Sequence, residues 1–222
     1  MWRDAVLVAG KDLRIEVRSR VATNQVAPFA FLVLVLFAFA LDNNRAVLTQ
    51  AASGLYWVAV LFSALLAVQR SAAIEAADGA RDQLRLSGLD PAGIFLGKAA
   101  AVAAELIALE VLLAAGVVIL YNATIGGVVL VVLTNLLATA GLAAAGTLYG
   151  SLAAGLKVRE TLLPLLLLPV AAPLLLAATE AWQAALAGRP GDGTQWLNLL
   201  AVFAVVYLTF GVLAFGSLLE ES

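Results

Sequence analysis

Residues 99–121 read AAAVAAELIALEVLLAAGVVILY, an apolar run interrupted only by Glu105 and Glu110. A helix rises about 1.5 Å per residue and the hydrocarbon core of a bilayer is roughly 30 Å thick, so about 20 such residues make one crossing. The stretch is read as a membrane-spanning helix. Working outward, the same test picks out 22–41, 51–69, 125–154, 161–179 and 197–219. The uncharged run that starts at 125 continues to 156, too long for one straight crossing. It is expected to tilt, or to begin with a short interfacial or re-entrant piece near Gly126 and Gly127. The fold class is therefore all-α: one polytopic membrane domain over 1–222 with six transmembrane helices.

Composition points the same way and excludes much chemistry. Of 222 residues, 63% are hydrophobic and 13% charged, and mean hydropathy is +1.00. A soluble domain has nearer half its residues apolar and about a quarter charged. Cysteine and histidine are both absent. That removes disulfides, the usual zinc ligand sets, thiol nucleophiles, imidazole acid–base chemistry and the commonest protein ligands of haem iron. A net charge of −2 gives no basis for a nucleic-acid partner. No phosphate-binding loop is present, since the segments Gly10-Lys11-Asp12 and Gly97-Lys98-Ala99 lack both the leading glycine and the closing hydroxyl. The chain is expected to be non-catalytic, with no metal and no cofactor of its own.

Charge sets the orientation. Eleven of the 13 Lys and Arg residues fall before the first span, between the second and third, or between the fourth and fifth, leaving only Arg45 and Arg189 opposite. By the positive-inside rule both termini are cytoplasmic. Ala38-Phe39-Ala40 imitates a signal-peptide cleavage site, but Asp4, Asp12 and Glu16 precede it and the apolar run is long. The first span is expected to be retained.

Two cytoplasmic segments stand out. Over 2–20, Trp2, Val6, Ala9, Leu13 and Val17 recur at helical spacing, with Arg3, Asp4, Lys11, Arg14 and Arg18 elsewhere on the wheel and Glu16 near the apolar edge. This is either a solvated lead-in or an elbow helix in the membrane interface that fixes the first span. The loop over 70–90 carries Glu75, Asp78, Gly79, Arg81, Asp82, Gln83 and Leu84. Gly79 should bend a helix between its two halves. Ser87-Gly88-Leu89 reads as a turn, and Asp90-Pro91 as the N-cap and first residue of the next helix. A mixed-charge helical hairpin there is a docking surface for a soluble partner or a plain connector.

Inside the membrane, Glu105 and Glu110 lie about 140° apart on a helical wheel and do not share a face. Each serves either a helix or partner contact, or a transport route. Asn135, with Thr134 and Thr139, can hydrogen-bond between helices, and Gly146-Thr147-Leu148-Tyr149-Gly150 allows close helix approach. Pro164, Pro169 and Pro173 should kink or break the fifth span. No repeat of the six-span unit is present, so a working pore or gate calls for a second copy or another subunit.

The chain resembles the CcmB family, permease subunits of an ABC transporter in bacterial cytochrome c maturation. Three segments in order carry the resemblance: 11–20, KDLRIEVRSR; Glu75, Asp78, Gly79, Asp82, Gln83 and Leu84; and Gly155-Leu156-Lys157 leading into 162–175, LLPLLLLPVAAPLL. The resemblance implies an ABC-exporter-type permease in the bacterial inner membrane, with an N-terminal elbow helix and the 70–90 loop as coupling element. It also implies four partners: an ABC ATPase, a second copy of the permease, a haem-handling membrane subunit and a small single-span subunit. ATP and haem would be bound by those partners. ATP hydrolysis would drive release of a haem-loaded periplasmic chaperone. Direct export of haem or another small amphiphile, and an uncoupled assembly scaffold, are the alternatives. With neither His nor Cys in the chain, mechanical coupling is the reading preferred over haem carriage.

Overall fold

The computed structural model describes residues 1–41, 44–76, 86–154 and 159–221. Its elements in chain order are α1 (Trp2–Ser19), a π-helical turn (Ala22–Val26), α2 (Ala27–Ala40), α3 (Arg45–Ala76), α4 (Pro91–Tyr121), α5 (Val128–Ala154), α6 (Arg159–Leu186), a 3₁₀ turn (Pro190–Gly193) and α7 (Thr194–Glu221). No strand occurs among the described residues. Five segments are long and apolar enough to cross a bilayer: Ala46–Ile74, Pro91–Tyr121, Val128–Ala153, Thr161–Leu186 and Pro190–Leu219. A sixth crossing is counted when Trp2–Ser19 and Asn24–Ala40, bent by 54°, are taken together.

The first span is thus less regular than the run over 22–41 suggests. Arg20 ends α1 in the left-handed conformation at φ 55°, its N–H donating to the Glu16 carbonyl. Thr23, Asn24 and Gln25 follow, and the chain passes through the π-helical turn before α2 starts with Pro28 in its first turn. Short polar side chains compete for backbone hydrogen bonds, and proline needs no donor at a helix start, so the break falls where the sequence least supports an α-helix.

α3, α4, α6 and α7 overrun their expected bounds, whereas α5 starts later than expected. α3 continues through Arg70 to Ala76 without a loop, giving a rod of about 48 Å. The turn at Ser87 and Gly88 follows the predicted pattern, with Gly88 at φ +67°. Asp90 caps α4, its Oδ1 accepting from the Ala92 N–H at 3.0 Å with Pro91 next in line. α4 thus starts eight residues before the apolar run at 99, because cap and proline set the start rather than hydropathy. Gly126 and Gly127 are not helical; the Gly126 N–H donates to the Ala185 carbonyl at 3.1 Å, and α5 begins beyond them.

Pro164, Pro169 and Pro173 do not break α6, which runs uninterrupted past 179 to Leu186. Each proline removes one internal bond, but Leu163, Leu167, Ala171, Leu174, Ala177, Ala178, Ala181 and Trp182 are all buried against the bundle. In a bilayer a broken helix would expose further unpaired backbone groups, so the packed helix is retained.

α5 is the central helix, contacting α3, α4, α6 and α7. Its small residues make this possible. A Cβ on Gly146 would lie 2.6 Å from Val68 Cγ2, and one on Gly150 would lie 2.9 Å from Val68 Cγ1. The two glycines therefore form the notch that receives Val68 of α3.

Candidate functional site

Polar side chains gather at two levels of the bundle. The first is at the end where α1, the last turns of α3 and the start of α4 meet. α1 lies along the first half of α4 in the same direction, backbone against backbone. A Cβ on Gly93 would meet the Met1 carbonyl oxygen at 2.7 Å, and one on Gly97 would meet the Ala5 carbonyl oxygen at 2.6 Å.

Three faces of α1 follow from about 100° per residue. Ala5, Val8, Asp12 and Glu16 turn toward the bundle; Ala5 and Val8 are buried and the two acids half-buried. Of the apolar stripe read from the sequence, Trp2, Val6 and Val17 are 72%, 72% and 75% exposed, while Ala9 and Leu13 are partly buried. Those three point away from the protein, whereas Leu13 lines the cavity between α1, α3 and α4. Arg3, Arg14 and Arg18 line the third face and are exposed, as is Lys11, which pairs with Asp12 at 2.9 Å.

Each acid of α1 has an ion-pair partner, although Asp12 Oδ2 is buried without a hydrogen bond. Asp4 accepts from the Met1 ammonium at 3.2 Å and from the Asp90 N–H at 3.3 Å. The Asp90 N–H first, then the ammonium, hold its carboxyl below the ordinary value of 3.8. Asp12 faces the nearly buried Lys98 at 3.6 Å. Glu16 accepts from Arg70 Nη1 at 3.1 Å, and Arg70 Nη2 also donates to Ser19. Asp12, Glu16, Arg70, Lys98 and Glu105 surround a cavity of about 460 Å³ with apolar walls that include Val8, Ile15, Leu89 and Val102. Glu105 thus belongs to this level, with Lys11, Asp12, Glu16, Arg70 and Lys98.

The second level lies deep in the bundle and joins four helices. Tyr56 of α3 donates to the Glu110 carbonyl oxygen of α4 at 3.3 Å and accepts from Asn135 Nδ2 of α5 at 2.7 Å. Asn135 Oδ1 in turn accepts from Trp182 Nε1 of α6 at 2.7 Å. Tyr56 and Trp182 stack with ring centroids 3.9 Å apart. Thr139 donates to the Glu110 carboxyl group, which is 1% exposed. Buried polar groups of this kind are costly unless partnered, and the partners hold the four helices in register. Neither Glu110 nor Asn135 lines the cavity of about 460 Å³ at the first level. The structure therefore brings Glu110 and Asn135 together and sets Glu105 apart from them.

Of the 70–90 loop, Glu75 lies on the last turn of α3 in the backbone, while its side chain and all of Asp78, Gly79, Arg81, Asp82, Gln83 and Leu84 lie outside the described residues. Sequence reasoning missed Arg70 and Lys98 as partners of Glu16 and Asp12. It also missed Tyr56 and Trp182 as links of the deep network. Lys98 carried a signal: it stands within the α4 helix, where an ammonium needs a carboxylate partner. Tyr56 and Trp182 carried none, because aromatic residues are ordinary in any membrane helix.

An all-helical bundle with five or six crossings and polar groups sealed inside it defines a multi-pass membrane protein. Residues 3–222 match the CcmB family, and the chain belongs to it. It is 28% identical over 209 residues to heme exporter protein B of Pseudomonas aeruginosa, covering 94% of each chain. It is 30% identical to that of Haemophilus influenzae over 92% of this chain and 93% of the relative. It is 28% identical to that of Paracoccus denitrificans over 95% of each.

Proposed function

We propose that this chain is the permease subunit of an ABC exporter complex in cytochrome c maturation. It works in the bacterial inner membrane with both termini in the cytoplasm. ATP hydrolysis by a partner ATPase is transmitted through the 70–90 segment, and the work done is haem delivery, by release of a haem-loaded periplasmic chaperone. The partners are the ATPase, a second permease copy, a haem-handling membrane subunit and a small single-span subunit. The chain itself is non-catalytic; ATP and haem are held by the partners.

The observation that carries this reading is the match to the CcmB family over residues 3–222. The architecture supports it. α3 and α4, 32 and 31 residues long, outreach a bilayer core of about 30 Å, and the 70–90 segment joins them at the Lys- and Arg-rich end. A push on that segment would reach the deep network through Tyr56 on α3 and Glu110 on α4. Haem carriage by the chain lacks the side chains that commonly ligate haem iron, because there is no His or Cys. Charge reversal by Asp78→Arg or Asp82→Arg in the complex should cut ATPase co-purification or c-type cytochrome yield while leaving the permease in the membrane. Normal levels of both would refute the coupling role.

A further inference from the structure

We propose that the outward side of α1 is a binding surface for anionic phospholipids of the leaflet in which it lies. The surface has two adjoining parts. One is the exposed apolar stripe of Trp2, Val6 and Val17. The other is the exposed row of Arg3, Arg14 and Arg18, next to the stripe on the helical wheel.

Three observations single out a lipid. First, the charges of α1 are sorted. Asp4 and Glu16 are taken up on the bundle side by Met1 and Arg70, and Asp12 lies between Lys98 and the exposed Lys11. Arg3, Arg14 and Arg18 have no ion-pair partner among the described residues. The outer edge is therefore basic, with Asp4 the acid nearest to Arg3. Second, a Trp-bearing apolar stripe beside an arginine row matches the depth profile of a leaflet, with acyl chain under one part and phosphate under the other. An acidic protein surface would complement the arginines but would leave the tryptophan and valines in water or demand an apolar patch beside its acids. Third, α1 is followed, after the bend, by α2, whose Phe29, Leu32, Leu36 and Phe39 are also exposed. Exposed apolar surface thus resumes on α2, beyond the break. Guanidinium groups bind phosphate oxygens in paired hydrogen bonds, so a phosphodiester with no offsetting ammonium is the favoured headgroup.

Trp2 supplies the probe. The full chain would be reconstituted in phosphatidylcholine vesicles with about a quarter phosphatidylglycerol, bromine being placed on the acyl chains of one lipid or the other, and the Trp2→Phe variant would give the background. Quenching by brominated phosphatidylglycerol should exceed its mole fraction by about twofold or more. Combined Arg3→Gln, Arg14→Gln and Arg18→Gln should return quenching to the mole fraction while total lipid access persists. Arg189→Gln, at the opposite end of the bundle and 72% exposed, should change nothing. Quenching that simply follows mole fraction in the unsubstituted chain would overturn the proposal. So would a Trp2 that neither lipid quenches, which would mean that a protein surface covers the stripe.

Discussion

Adding one methyl group at Gly97 should detach the first helix. In Gly97→Ala the new Cβ would lie 2.6 Å from the Ala5 carbonyl oxygen, 2.7 Å from Val8 Cβ and 3.1 Å from the Ala9 nitrogen. Two of these are backbone atoms, which no rotamer change can move aside. α1 must withdraw by roughly 1 Å, and a gap of that size forfeits about a quarter to a half of the dispersion attraction along the contact. Alanine in place of glycine inside a helix returns up to about 1 kcal/mol, whereas overpacking costs about 1–3 kcal/mol. The net effect should be a weaker α1–α4 contact and a lower unfolding temperature in detergent. Gly54→Ala in α3 is the internal control. No neighbour lies within 4 Å of its added Cβ, so only the propensity gain remains and the sign should reverse. Because the chain has no cysteine, a Val8→Cys reporter can follow undocking by maleimide. Val8 is 3% exposed, and its labelling should rise about tenfold for each 1.4 kcal/mol by which docking is weakened. The reasoning fails if Gly97→Ala is as stable as Gly54→Ala and leaves the reporter protected.

Other substitutions test the polar contacts. Tyr56→Phe removes the hydroxyl that serves both the Glu110 carbonyl and Asn135, and should cost about 1–3 kcal/mol in thermal or denaturant unfolding. Trp182→Phe, which orphans Asn135 Oδ1, should show strong non-additivity with it in a double-mutant cycle. Arg70→Gln should destabilise the chain by about 1–3 kcal/mol, and the loss should largely vanish in a Glu16→Gln background, since the two side chains form one half-buried pair. The contact of Asp4 has a pH signature. Its folded carboxyl ionises below 3.8, so its contribution is complete above the unfolded value and is lost as pH falls through the folded one. Trp2 emission should report a loosening of the α1 start in that acid range, and Asp4→Asn should abolish the transition.

Five of the six expected crossings were legible because hydropathy over about 20 residues measures a physical thickness, and the first is long enough only when α1 is joined to α2. The start of α4 was legible because Asp90 and Pro91 carry cap chemistry in two adjacent residues. Helix ends set by packing were less so. α6 passes 179 and takes in Glu180 because Ala181 and Trp182 are buried beside it, a tertiary fact absent from any window of sequence. The prolines leave their helix unbroken for a related reason, since the rule that they break helices describes helices in water. On α1 the period was correct and the inference about its direction incomplete. A helical wheel separates apolar from charged faces but does not say that Ala5 and Val8, with two acids, will turn inward while Trp2 turns outward. The glycines at 93 and 97 decide that, and their spacing of four is visible in the sequence only once α1 is known to lie against them.

The central claim is that the segment between α3 and α4 seats on a partner ATPase and carries its motion into the bundle. The most direct measurement places a photocrosslinking amino acid at Gln83 in the membrane-embedded complex, once with ATP withheld and once during turnover. A dominant adduct with the ATPase that changes in yield between the two conditions is the predicted result. An adduct pattern with no ATPase in either condition, from a complex that still produces c-type cytochromes, would contradict it.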